Sequence, residues 1–383
     1  MRISPACRPS TPPRVRLPED DGSHPTEKTE WWYLNGHLED EQGRTYDFVQ
    51  ALFDVPDAIA GRYNVDLPMM PGATALDTGL TRHQGGHSQR SRMTVRAPYT
   101  DNHDLTPGAM DHQFGGLHLK RWDAQTFTVS GPAGEAQVDL RLTQQKPPLL
   151  MGGQGEIPMG PYGLSRYYTY PMLAAEGVLH VNGEERRVHG QAWMDHQWGD
   201  MQMYNGYQGW DWFGLQLENN TQVNAFRFRS EDGTNASAAV GISRPDGTQD
   251  VSEQLRLRPG RTWHSPSTGA DYPLEWHLSI PDKAIDLDVR PLQDAQEMVG
   301  TPPHTQPELA LVPTYWEGGV AVQGTVDGQP VSGKGFMELV GYPGDRIIPR
   351  ELTQDVIDLA RRLGEEARSR PLTVVAATSG ASF

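Results

Sequence analysis

Two short strings hold many of the chemistry-capable side chains of this sequence. In AWMDHQWG (192–199), Asp195 and His196 sit between Trp193 and Trp198. In GWDWFGLQL (209–217), a lone carboxylate, Asp211, lies between Trp210 and Trp212. A carboxyl or imidazole enclosed by apolar rings loses hydration, which disfavours its charged form; such a carboxyl holds its proton near neutral pH. A proton donor of that kind can protonate an alkene, and aromatic faces stabilise the cation that forms. The pattern recurs at Glu30, ahead of Trp31-Trp32, and at Glu317, after Trp316.

These groups must be carried by strands. Segments such as EWWYLNGHL (30–38), VHGQAWM (188–194), QVNAFRFR (222–229) and GVAVQGTV (319–326) alternate apolar and polar residues, with Asn-Gly, Asp-Gly and Asn-Asn turn signals between many of them. Many short alternating strands at this spacing read as barrels or sandwiches. Period two assigns the faces. Glu30, Trp32, Leu34 and Leu38 share one; His196 and Trp198 share one with Met194, and Asp195 points the other way with Trp193. If Asn219-Asn220 closes a two-residue hairpin, Asp211 faces Phe228, Phe213 faces Phe226, and the opposite face pairs Trp212 with Arg227 and Trp210 with Arg229. Asp211 is then a desolvated carboxyl among Leu and Phe. The catalytic candidates are His196, Asp211 and Trp198. Glu30, Trp32, Tyr168, Asp195, Trp212, Phe213, Phe226, Trp316 and Glu317 are the candidates for substrate contact. Trp32, His196, Trp198 and Asp211 are expected to border one cavity.

Composition narrows the partners. The net charge of −16 argues against nucleic acid and anionic membrane surfaces. One cysteine, Cys7, allows no internal disulfide and no four-cysteine zinc site. There is no stretch long and apolar enough to span a membrane, and the N-terminus lacks the apolar core of a secretory signal, so a cytoplasmic protein is expected. His83 and His87 lie in a Gly/Ser/Gln loop rather than on a helix, so neither they nor Asp195-His196 give reason to expect a metal. No phosphate-cradling or dinucleotide fingerprint is present, and no cofactor is expected.

The division expected along the chain is a disordered Pro-rich lead (1–25), a first barrel (26–205), a second barrel (206–345), and a C-terminal helix and tail (346–383). In that last part Leu352, Val356, Ile357, Ala360 and Leu363 repeat at helical spacing. The Gly-rich stretch 149–163 reads as a long loop, a lid or rim.

The strings TEWWYLNGHLED, AWMDHQWG, GWDWFGLQLENN and TYWEGGVAVQG resemble, in this order and spacing, the carotenoid 1,2-hydratase/AttH-like family over residues 26–343. The resemblance implies two lipocalin-like antiparallel barrels in tandem. It also implies cofactor-free chemistry on an apolar substrate: water addition to an isoprenoid double bond, or [4+2] cyclisation of a polyene. It carries a catalytic role onto His196 and Trp198. The hydratases have a Tyr/Asp pair on the strand after the W-D-W string; here that strand reads Asn224-Ala225-Phe226-Arg227-Phe228, without an acid, so either Asp211 substitutes or the chemistry differs. Three readings follow: acid-initiated addition to an isoprenoid or polyketide double bond, a pericyclic cyclase, and a carrier of an apolar ligand.

Overall fold

The computed structural model describes residues 14–27, 29–55, 73–96, 103–158, 163–199, 207–230, 235–299 and 314–342. The expected helix at 350–368 lies outside them. Among the described residues the helical pieces are single 3-10 turns, and no helix is long and apolar enough to cross a membrane.

The first sheet comprises β1 (Thr29–Asp40), β2 (Thr45–Val55), β3 (Ala73–Arg82), β4 (His87–Arg96), β5 (His103–Leu105), β6 (Asp111–Phe114), β7 (Leu117–Arg121), β8 (Thr126–Ala133), β9 (Ala136–Gln144), β10 (Leu149–Leu150), β11 (Glu156–Pro158), β12 (Leu164–Val181) and β13 (Glu184–Gly199). Its order is β4-β3-β2-β1-β13-β12-β9-β8-β7-β6-β5, with β10 and β11 also paired to β12. The sheet curls until β2 and β3 meet the β8–β9 turn, where Gln50 Nε2 donates to Pro132 O at 2.8 Å and the Gly134 N–H donates to Thr78 Oγ1 at 3.2 Å.

The second sheet comprises β14 (Tyr207–Leu217), β15 (Gln222–Ser230), β16 (Asn235–Ser243), β17 (Gln249–Ser252) and β18 (Arg256–Pro259), followed after a small hairpin, β19 (Thr262–His264) and β20 (Asp271–Pro273), by β21 (Trp276–Ile280), β22 (Ile285–Pro291), β23 (Glu297–Met298), β24 (Tyr315–Val326) and β25 (Gln329–Val340). Its order is β17-β16-β15-β14-β25-β24-β22-β21-β18, with β23 on β24. The protein is thus all-β, built from two curled antiparallel sheets in tandem.

Alternation along each strand fills three layers. The concave face of the first sheet buries Trp32, Leu34, Phe48, Phe127, Tyr168 and Trp198. That of the second buries Phe213, Leu215, Trp276, Leu287, Trp316 and Leu339. The convex faces then pack on one another through Tyr33, Trp193, Tyr167, Trp212, Phe226 and Phe336. Strands at this seam are therefore buried on both faces. The glycines of the EGG string permit the close approach: a Cβ on Gly319 would sit 1.9 Å from Asp47 Oδ2 of the other sheet.

Three expectations are corrected. The β14–β15 loop holds three residues, not two: the Leu217 N–H bonds to Thr221 O at 2.9 Å, and Asn220 takes φ +64°. The register therefore slips by one, so that Asp211 pairs with Arg227, Trp212 with Phe226 and Trp210 with Phe228. A one-residue slip moves every partner to the other face. Next, residues 14–25 are not a disordered lead: Val15, Asp21 and Ser23 are buried, and Ser23 bonds to Thr106 O and Leu105 O. Finally, the 149–163 stretch is no lid as far as it is described, because Leu149, Met151 and Ile157 are core residues of the seam.

Candidate functional site

The twelve candidate residues fall into three places. Glu30, Trp32, Tyr168, His196 and Trp198 converge in the lumen of the first barrel. Asp195, Trp212, Phe226 and Glu317 line the seam. Asp211, Phe213 and Trp316 belong to the second barrel. The cavity expected to join His196 to Asp211 does not exist, since the two point into separate cores.

Asp211 is not a lone carboxyl. Arg227 Nε donates to its Oδ2 at 2.7 Å, Arg229 Nη1 reaches Oδ1, and Tyr342 OH donates to Oδ1 at 2.8 Å. The arginines that the sequence placed on the tryptophan face lie on the Asp211 face, over Trp276 and Tyr342 instead. Asp211 is thus ion-paired with two guanidiniums rather than set alone among Leu and Phe.

In the lumen, β1 and β12 flank β13 so that Trp32, His196 and Tyr168 form one row. Glu30 Oε1 meets His196 Nε2 at 2.7 Å and, unforeseen, His24 Nδ1 at 2.6 Å. Burial alone would raise the Glu30 carboxyl, but the two imidazoles outweigh it and hold it below its ordinary value. Burial depresses His196 despite Glu30, which favours its neutral form. Asp21 is fully buried among donors: Tyr168 OH at 2.5 Å, Tyr170 OH at 2.9 Å, and Arg121. Lumen carboxylates are thus matched by cationic or imidazole partners.

The seam is different. Asp195 stands opposite Tyr33 on β1 and Thr169 on β12. It accepts from Thr169 Oγ1 at 2.5 Å, Tyr167 OH at 2.6 Å and Trp193 Nε1 at 2.8 Å. Burial nonetheless pushes it up to about 7 against those bonds. Tyr167 OH in turn accepts from Asn224 Nδ2 at 2.7 Å and from Trp212 Nε1 at 3.0 Å, which ties the two sheets together. Beside them, Glu317 on β24 lies directly opposite Glu338 on β25. Tyr33 OH donates to Glu317 Oε1 at 2.5 Å, and Trp210 Nε1 donates to Glu338 Oε1 at 2.5 Å. The two carboxyls are cross-strand neighbours, and two carboxylates so placed repel unless one of them holds a proton. Burial, then the charge of Glu338, pushes Glu317 far up; burial brings Glu338 to about 7. Among the described residues no Lys, Arg or His side chain forms an ion pair with Asp195, Glu317 or Glu338; Arg90 reaches only the Glu317 carbonyl, at 2.9 Å.

Glu338 was missed in the sequence. Its signal was present: on FMEL the carboxylate alternates in phase with Phe336, opposite the Met337 and Leu339 that fill the second core. The Asp195-His196 and His83/His87 pairs bind nothing in common, because Asp195 and His196 occupy opposite faces of β13 and His83 reaches Asp47 at 2.9 Å. Among the described residues one set of potential ligands converges, His24, Glu30 and His196.

The arrangement can be set beside known proteins. Kievitone hydratase of Fusarium solani subsp. phaseoli is 29% identical over 195 residues, 49% of this chain and 52% of that one. The dehydratase asqC of Emericella nidulans is 24% identical over 225 residues, 56% of this chain and 61% of that one. The chain's match thus spans little more than half the length of these relatives. The crystal structure of an AttH protein from Nitrosomonas europaea, 26% identical, superposes with a TM-score of 0.73 over 89% of this chain and all of that one. The AttH-like family model matches residues 8–342, nearly the whole described body. The chain belongs to the AttH-like family.

Proposed function

We propose that this protein is a hydro-lyase-type enzyme that adds water to, or removes it from, a small and largely apolar unsaturated molecule, and that the reaction takes place at the seam. One observation carries the assignment: Glu317 and Glu338 face each other as a buried carboxyl pair that forms no ion pair among the described residues, with Tyr33 OH and Trp210 Nε1 donating to them. Two carboxyls that cannot both ionise share one proton, so one is an acid while its neighbour is a base. In the hydration direction the acid gives its proton to one alkene carbon. A water oxygen bonds to the other carbon, and the water's surplus proton passes to the carboxylate or to Asp195. Dehydration reverses each step. The activities for which the two relatives are named, hydratase and dehydratase, support this class at modest identity.

His196 and Trp198, the catalytic pair carried over by resemblance, are assigned here to the lumen rather than to the reacting centre. The test incubates the protein with kievitone, prenylated phenols and β-hydroxy polyketide acids, and follows gain or loss of one water by mass spectrometry. Conversion by the wild type, cut by on the order of 10²–10⁴ in Glu338→Gln, is the expected result. Ligand binding without conversion would make the protein a carrier; conversion undiminished in Glu338→Gln would move the chemistry away from the seam.

A further inference from the structure

The lumen cluster that this chemistry leaves unused has a geometry of its own. His24 Nδ1 and His196 Nε2 both face the same oxygen, Glu30 Oε1, at 2.6 Å and 2.7 Å. Both rings are clamped against indoles: His24 stacks on Trp198 at 4.1 Å and 5°, His196 on Trp32 at 4.6 Å and 19°. The outer nitrogen of each ring has its own oxygen. His24 Nε2 lies 3.4 Å from Asp20 Oδ1, and His196 Nδ1 lies 3.2 Å from Tyr168 OH. Tyr168 has already committed its proton to Asp21 Oδ1, at 2.5 Å. Its oxygen is therefore an acceptor for His196 Nδ1–H, and this hydrogen bond assigns the tautomer. In that tautomer His196 Nε2 presents a lone pair to a carboxylate oxygen. A proton or a cation between them makes this contact attractive, while His24 Nδ1 can meet the same oxygen through its own N–H. One divalent cation can take the place of the protons among these three converging atoms. The cation does so through inner nitrogens that face one oxygen and outer nitrogens held by carboxylate or hydroxyl, the arrangement that orients metal-bound histidines.

We propose that His24 Nδ1, His196 Nε2 and Glu30 Oε1 form a three-ligand divalent-metal site of the zinc type, which fastens the segment 14–27 to the first barrel. A His₂Glu donor set suits zinc or cobalt rather than magnesium or calcium. Bonds of about 2.0–2.1 Å to each donor separate tetrahedral ligands by roughly 3.3 Å, so entry of the ion expels the bridging protons and widens each contact by about 0.6 Å. His24, on the short segment ahead of β1 and one-fifth exposed at its side chain, is the ligand free to make that move.

The test uses the full chain, stripped with a chelator and titrated with Co²⁺, reading the visible absorption of the ion and the metal content after gel filtration. The expected result is one equivalent bound with a low-symmetry visible spectrum, lost in His24→Ala and in Glu30→Gln. Tyr168→Phe, which removes only the oxygen behind His196, should weaken binding by about ten- to a hundredfold. His112→Gln, at a buried histidine outside the set, should bind as the wild type does. Circular dichroism confirms that each variant is folded, and His24→Ala keeps the test open if a core variant is not. No stoichiometric binding by the wild type, or binding that survives both His24→Ala and Glu30→Gln, would overturn the proposal.

Discussion

The lumen of the first barrel and the seam between the sheets are separated by the thickness of one strand. His196 and Asp195 are consecutive on β13 and point to opposite sides of it. Both regions are buried, aromatic and furnished with carboxyls, yet they treat those carboxyls in opposite ways. On the lumen side Glu30 meets two imidazoles and Asp21 meets Arg121 and two phenols. On the seam side, among the described residues, Asp195, Glu317 and Glu338 form no ion pair: their hydrogen bonds come from hydroxyls and indoles, and the charge of Arg90, bonded to the Glu317 carbonyl, offsets the burial of Glu317 only in part. The lumen has invested its carboxylates in structure. The seam keeps acids that hold a proton near neutrality, the state that acid–base chemistry requires. Burial alone does not make a catalytic acid; burial without a compensating cation does. The seam contains its own control in Asp77, which Arg92 grips with two bonds of 2.6 Å.

The largest effect expected from this contrast is on turnover. Glu338→Gln removes the shared proton while nearly conserving volume, and should reduce kcat by on the order of 10²–10⁴ with the melting temperature held or raised. Asp211→Asn, the same chemical change at an ion-paired carboxyl, should act on stability instead. Leaving the buried Arg229 and the half-buried Arg227 without their anion costs about 3–5 kcal/mol, to be read from denaturant unfolding. The two profiles exchanged would break the comparison.

A smaller effect follows from pH. Glu338 is raised from 4.5 to about 7 by folding, so its contribution to stability is complete below the unfolded value and is lost as pH rises through the folded one. Unfolding free energy should therefore fall by on the order of 2 kcal/mol between about pH 5 and pH 8, and Glu338→Gln should flatten that slope. A wild-type curve that is flat or rising there, unchanged in the variant, would count against protonated seam acids. The smallest effect belongs to the lumen: Tyr170→Phe deletes the hydrogen bond to Asp21, at 2.9 Å, and the one accepted from Arg121 Nη1, at 2.8 Å, and should cost about 1–2 kcal/mol while kcat stays within twofold.

Legibility in the sequence followed the same division. Strand alternation and turn signals were enough for an all-β, two-sheet chain, because period two survives wherever one face is buried. The lumen row was readable for that reason: Trp32, His196 and Trp198 were placed on apolar faces, and they do meet. The seam was harder, because strands buried on both faces lose the contrast that alternation depends on, and Glu338 looked like an ordinary strand carboxylate. The error at Asp211 was local. A third loop residue with left-handed Asn220 shifted β15 by one and turned two arginines onto the carboxylate. Asp21 and His24 were lost to composition, since a Pro-rich charged lead reads as disordered until its buried partners are known.

The most direct test of the account is the protonation state of the seam. Infrared difference spectroscopy across a pH titration reads the C=O stretch of a protonated, buried carboxylic acid separately from carboxylate bands. Such a band is expected in the wild type at neutral pH, reduced as pH rises through about 7 while the Glu317 part persists, and diminished in Glu338→Gln and Glu317→Gln but retained in Asp211→Asn. A wild-type protein with no protonated carboxyl at neutral pH, or with a band that only Asp211→Asn removes, would contradict it.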